Sequence, residues 1–154
     1  MNAKYRRSGF TLIEVLIVVI IMALLAATII PQFTASTTDA KKSAVDFNAH
    51  TMRSLLQMYQ AQHNGKYPVL GTFADQMSKP TDITGATTAD PADLKFGPYL
   101  QGKIPSNPFN NKNTLVAVAT AGIEPTAVVS GGAGWQYDSS TGGFYPNNTE
   151  YFTP

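Results

Sequence analysis

The chain has 154 residues, enough for one compact domain and an appendage, with 14% charged residues and no cysteine. The absence of cysteine excludes a disulfide framework, a thiolate metal site and a cysteine nucleophile. The net charge of +1 hides an asymmetry, because without Lys4, Arg6 and Arg7 eight basic residues face ten acidic ones, a balance of −2 that suits no polyphosphate binder.

Those three cations precede the most apolar stretch of the chain. From Phe10 to Ile30 only Thr11, Glu14 and Thr28 are polar. A helix of this length spans roughly 31 Å, which matches a hydrocarbon core of about 30 Å. Val, Ile and Leu occupy every face, the pattern of a helix immersed in lipid or among other helices. Basic residues ahead of such a run hold that end in the cytoplasm and send the C-terminal part across the membrane. Pro31 closes the run and marks a kink or break, since it lacks an N–H and crowds the preceding turn. A secretory signal peptide has a shorter apolar region and a small-residue cleavage site, which "TIIPQFTAS" does not offer. A plain single-pass anchor gives no reason for Glu14, a carboxylate that is costly to place in lipid.

The stretch "SGFTLIE" supplies a reason. A polar, basic leader, then Gly9, then Phe10-Thr11-Leu12-Ile13-Glu14, an apolar run and a proline closely resemble the N-terminal signature of type IV prepilins and type II secretion pseudopilins. The resemblance implies that a prepilin peptidase cuts between Gly9 and Phe10 and methylates the new amine of Phe10. The apolar segment then stays as a membrane anchor and becomes the core of a homo-oligomeric filament. In a staggered stack of such helices, Glu14 of one subunit reaches the Phe10 amine of its neighbour. Two costly desolvated charges become a pair only in the correct register, which specifies alignment more than stability.

After Pro31 the sequence turns polar but stays compatible with a helix. Val45, Ala49, Met52, Leu56, Tyr59 and His63 form one stripe at alternating steps of four and three. Asn64-Gly65 reads as a C-cap and Pro68 forbids continuation, so one long helix runs from about Phe10 to His63. The stripe is a core-packing face. His50 and His63 are thirteen residues apart with no acid at ligand spacing, so no metal site is assigned to them. "HNGKYP" at the helix end also resembles pseudopilins.

Downstream, "TFADQMSKP" predicts a short helix with Thr72 as N-cap and Asp75 as its capping-box acid. The segment "TDITGATTADPADLKFGP" reads as a variable loop. Tyr99-Leu100 and Pro105-Ser106-Asn107-Pro108 resemble the loop that precedes the sheet in the major pseudopilin of type II secretion. "TLVAVAT", "TAVVS", "GWQYD" and "GFYPN" read as strands, the last two forming a hairpin around "SSTG". Alternation of Trp135 with Tyr137, and of Phe144 with Pro146, puts one face inward and makes Trp135 a core residue. "GWQYDSSTGGFYPN" resembles the end of many pseudopilin-like proteins. Major pseudopilins often carry a calcium site near here. Asp138, Ser139, Ser140, Thr141 and a distant Glu150 provide one certain carboxylate for a cation that takes six to eight oxygens, so none is assigned.

No nucleophile elbow, P-loop, HExxH motif or dinucleotide fingerprint occurs, and "GGAG" at 131–134 leads into a strand rather than a helix. An enzyme reading therefore has no residues to rest on, and no catalytic, cofactor-binding or metal residue is assigned. The expected fold is α+β and pilin-like, a long N-terminal helix packed on a small antiparallel sheet. Its expected parts are a leader (1–9), a transmembrane and filament-core helix (10–30), an amphipathic continuation (31–65) and a small head (66–154). The resemblance implies a structural subunit of a type II secretion pseudopilus or type IV pilus-like filament at the bacterial inner membrane, with the head in the periplasm or outside. It also implies prepilin peptidase, an inner-membrane assembly platform, minor pseudopilins, lipid and other copies of the chain as partners, with no nucleic acid. The lack of cysteine removes the disulfide loop common in true type IV pilins. The alternatives are a membrane-tethered periplasmic binding module that does not polymerise, and a competence or adhesion pilin.

Overall fold

The computed structural model describes residues 9–88 and 90–149, so the basic leader lies outside the described residues, as does Glu150. The elements in chain order are α1 (Leu12–Gln62), a 3-10 turn (Leu70–Thr72), α2 (Phe73–Ser78), β1 (Leu115–Ala117), β2 (Trp135–Asp138) and β3 (Gly143–Pro146). Contacts divide the chain into two units, Met1–Ala40 and Lys41–Pro154.

In the first unit, every described side chain from Phe10 to Ile30 is exposed. The helix is continuous through position 31. Threonines around that position turn their hydroxyls onto the helix backbone: Thr28 Oγ1 donates to the Leu25 carbonyl at 3.0 Å and Thr34 Oγ1 to that of Ile30 at 3.1 Å. Such bonds hide the polar group of a side chain that otherwise has no partner in lipid.

In the second unit the helical stripe is the core. Val45, Ala49, Met52, Leu56, Tyr59 and His63 are all buried, packed with Phe73, Met77, Tyr99, Trp135, Tyr137 and Phe144. Periodicity of 3.6 puts them on one side, and burial of six such side chains is what holds this half of α1 to the head. The helix ends where the sequence directs. Asn64 and Gly65 take φ of 53° and 77°, and the Gly65 N–H reaches back to the Gln60 carbonyl at 3.0 Å. His63 is a core residue. Its ring stacks on Tyr59 with centroids 3.7 Å apart, and its nitrogens bond to the Tyr59 carbonyl at 2.8 Å and Thr81 Oγ1 at 2.9 Å.

The sheet differs from the expected antiparallel one. β2 pairs antiparallel with β3, Trp135 opposite Pro146, but β1 runs parallel to β2, Leu115 opposite Trp135. The reason is the connection at 118–134, long enough to return the chain to its starting end, as a parallel pair requires. "TAVVS" lies within this connection and forms no strand. Side-chain amides replace its ladder: Asn147 Oδ1 accepts the Val129 N–H at 2.8 Å, Asn147 Nδ2 donates to the Val129 carbonyl at 3.0 Å, and Gln136 Nε2 donates to the Ala127 carbonyl at 2.9 Å.

That cover also corrects the reading of β2 as one-faced. All four residues from Trp135 to Asp138 are buried, because the connection shields the side of Gln136 and Asp138. The short helix α2 starts after Thr72 as expected, but not through a capping box. Thr72 ends the 3-10 turn and its hydroxyl makes no cap bond, while Asp75 pairs with Lys79 at 2.9 Å.

The Pro105–Pro108 segment is the latch between this loop region and the sheet. The Pro105 carbonyl accepts the Trp135 indole N–H at 2.7 Å. Asn107, fully buried, donates from Nδ2 to the Gly134 carbonyl at 2.8 Å and accepts the Phe109 N–H at 3.0 Å. Gly134 is required for the approach, since a Cβ there would collide with the Lys112 carbonyl.

Candidate functional site: the N-terminal segment

Gly9 and Phe10 are both exposed, Phe10 at 89%, and no atom lies within 4 Å of where a Gly9 Cβ would sit. Among the described residues, no side chain packs against the Gly9–Phe10 peptide. Helix α1 starts two residues later, at Leu12, with Thr11 in the N-cap position and Glu14 in the first turn.

Thr11 and Glu14 satisfy one another. Glu14 Oε2 accepts the Thr11 N–H at 2.8 Å and the Thr11 hydroxyl at 2.7 Å, and Thr11 Oγ1 lies 3.3 Å from the Glu14 N–H. This is a reciprocal capping box, in which two donors that a helix start leaves without partners are met by side chains three residues apart. In lipid, where no water replaces a missing partner, these bonds matter more than at a wet surface. Sequence reasoning missed this role, although "TLIE" carries the S/T-x-x-E signal for it. The box uses one carboxylate oxygen for both of its acceptor bonds. Glu14 Oε1 takes part in none of these three bonds, which leaves a hydrogen-bonding edge for a further donor.

Among the described residues the head carries no comparable reactive cluster. A groove of about 470 Å³ lies between α2 and β1 and is lined by Phe73, Leu100, Ile104 and Leu115 among others. Among the described residues no three His, Asp or Glu side chains converge as metal ligands. Asp138 is 2% exposed, and its carboxylate is held by N–H and O–H donors. Burial pushes its carboxyl up, and hydrogen bonds from the Ser140 hydroxyl and amide, the Gly122 N–H and the Thr141 hydroxyl outweigh it, so it sits below the usual aspartate range. Burial drives the Tyr137 hydroxyl upward, and that hydroxyl donates to the Pro68 carbonyl at 2.7 Å.

Comparison with known proteins points the same way as this geometry. Residues 4–30 match the family model described as the prokaryotic N-terminal methylation motif. The chain is 31% identical over 120 residues to the type II secretion system core protein G of Pseudomonas aeruginosa, covering 77% of this chain and 80% of that protein. It is 27% identical over 115 residues to the protein of the same name from Aeromonas hydrophila, covering 74% and 76%. A shorter match, 38% over 79 residues, links it to the type IV major pilin protein PilE1 of Neisseria gonorrhoeae, covering 51% of this chain and 47% of the pilin. No solved structure matches the chain. A methylation motif seated on an exposed apolar helix and a likeness that extends into the head lead to one assignment: the chain belongs to the type II secretion system core protein G family.

Proposed function

We propose that the chain is a structural subunit of a type II secretion pseudopilus, cut between Gly9 and Phe10 by prepilin peptidase and N-methylated on Phe10. The observation that carries this reading is the methylation motif at 4–30, whose part from Leu12 onward forms a helix with its apolar residues exposed all round. In the bilayer that surface faces lipid. In the filament it faces the same segment of other copies. Exchange of lipid for protein gains little from the hydrophobic effect, so packing and polar pairing select the assembled arrangement. Glu14 supplies the pairing. Its Oε2 is held by Thr11, and its other oxygen faces the Phe10 amine of the adjacent subunit and sets the register. Pro31 lacks an amide hydrogen for the Ala27 carbonyl and is the position where α1 bends on assembly.

The subunit waits in the inner membrane with its basic leader in the cytoplasm and its head on the far side. An assembly platform and minor pseudopilins are the partners that extract and order it. The likeness to protein G covers 77% of the chain and so extends into the head, whereas the pilin match covers about half the chain, so secretion is favoured over adhesion or competence. Intact mass and N-terminal sequence from membranes, with and without a prepilin peptidase, test the processing. A product beginning at N-methylated Phe10 only when the peptidase is present supports the proposal. A chain that still begins at Met1 with the peptidase present would be a tether, not a filament subunit.

A further inference from the structure

The resemblance to major pseudopilins implies a calcium-bound loop near the C-terminus, and the residues at that place are arranged for something else. Asp138 closes β2, and its carbonyl accepts the Gly142 N–H at 2.9 Å to shape the turn into β3. Its carboxylate accepts hydrogen bonds on both oxygens. Oδ1 accepts the Ser140 N–H at 2.8 Å and the Ser140 hydroxyl at 2.6 Å, and Oδ2 accepts the Gly122 N–H at 2.7 Å. Gly122 takes φ of 78°, a left-handed conformation that glycine adopts without cost, in the turn that follows β1. One buried carboxylate thus ties two turns that are distant in sequence.

Every donor in this arrangement is a hydrogen pointed at the carboxylate, the inverse of a cation site. Calcium at the same two oxygens would face those hydrogens and would need at least four more oxygen ligands. Thr141 Oγ1 is itself an acceptor for the Gly143 N–H at 3.2 Å. Gln136 lies on the same face of β2, and its Oε1 is buried without a hydrogen-bond partner. A single neutral oxygen of that kind suits a buried water and does not build a calcium shell.

We infer that Asp138 is a metal-free clamp, whose carboxylate holds the turn after β1 to the β2–β3 turn through Gly122 and Ser140, in the loop where the resemblance implies calcium. The head therefore keeps this loop ordered without a divalent cation. The inference concerns the head alone and does not depend on filament assembly.

Hydrogen exchange on the full chain in detergent, with about 10 mM calcium chloride or with EGTA, tests it. The clamp predicts that protection of the segments containing Gly122 and Ser140 changes less than about two-fold between the two conditions. A site with a dissociation constant of about 0.1 mM would raise protection about 100-fold under the same calcium, and that result would overturn the inference. Ser140→Ala removes one donor and keeps the carboxylate. It is expected to lower protection at Gly122 and Ser140 by about ten-fold, equally with and without calcium. Unchanged protection in Ser140→Ala would equally overturn the clamp. Asp138→Asn puts an amide where two N–H donors converge, and it serves as a second variant if it folds.

Discussion

Asn107 gives the sharpest test of how the head is held together. Its side chain is fully buried and makes two hydrogen bonds, to the Gly134 carbonyl and from the Phe109 N–H. Asn107→Ala removes both, at about 1–1.5 kcal/mol each, and leaves space where the amide stood, for a total of about 3 kcal/mol. For a unit the size of Lys41–Pro154 a loss of 1 kcal/mol lowers the melting midpoint by about 4 °C, so the expected fall is about 12 °C. Asn107→Asp separates the two bonds. The remaining oxygen still accepts the Phe109 N–H, but at neutral pH a carboxylate faces the Gly134 carbonyl. That contact raises the aspartate pKa in the folded head, so the variant regains stability as the pH falls and the protonated carboxyl donates. Thermal unfolding of the full chain in detergent, followed by Trp135 fluorescence, reads both effects. The indole is a suitable reporter because its N–H is bonded to Pro105, two residues from Asn107. An Asn107→Ala midpoint within about 3 °C of the parent would refute the latch, since that is under 1 kcal/mol.

Three further outcomes are expected. Glu14→Gln keeps a capping-box partner for Thr11 but loses the charge, whereas Thr11→Ala does the reverse. Both are expected to be processed by the peptidase, with Glu14→Gln absent from sheared filaments and Thr11→Ala present in them; filaments of Glu14→Gln at parental yield would reduce the carboxylate to a helix cap. Leu56→Ala, at a fully buried position in the helix–head core, is expected to cost about 3 kcal/mol in a denaturant titration, and a loss below about 1 kcal/mol would show that α1 is not packed as described. The Asp138 carboxyl is depressed in the folded head, so the stability it contributes is present above the unfolded aspartate value near pH 4 and is lost as pH falls through the folded value. Melting curves from pH 7 to pH 3 should show that acid loss in the parent and a smaller one in Asp138→Asn.

The sequence was most legible where one periodicity or one short motif decides the outcome. The stripe from Val45 to His63 could bury its residues only as a helix, and Asn64-Gly65 could end that helix only one way. The pair of strands around "SSTG" was equally readable, because Trp135, Tyr137, Phe144 and Pro146 all had to leave water. Three features were not legible, each because it depends on contacts outside the local segment. The run from Thr126 to Ser130 has strand composition, yet amides from Gln136 and Asn147, both outside that run, take its hydrogen bonds. The parallel entry of β1 depends on where the 118–134 connection lands, which no local propensity encodes. Thr72 and Asp75 carry a capping-box spacing that the 3-10 turn before α2 leaves unused, while the same spacing at Thr11 and Glu14 is realised. At the N-terminal site the motif singles out Gly9, Phe10 and Glu14, and the spacing of Thr11 and Glu14 carries a capping-box signal that was read only once the structure showed the bonds.

In the proposed filament, Glu14 meets the processed amine of a neighbouring Phe10. Solid-state NMR on filaments assembled from a mixture of subunits tests it directly, one population carrying 15N-phenylalanine and the other 13C-glutamate. Mixing makes every 15N–13C coupling intermolecular, and the N-methylated amine of Phe10 resonates apart from the amides of the other phenylalanines. The account predicts a coupling between that amine and the Glu14 carboxylate corresponding to about 3–4 Å, the carbon-to-nitrogen separation of a hydrogen-bonded ion pair. Well-ordered filaments in which that coupling is missing, with Glu14 near only its own Thr11, would contradict it.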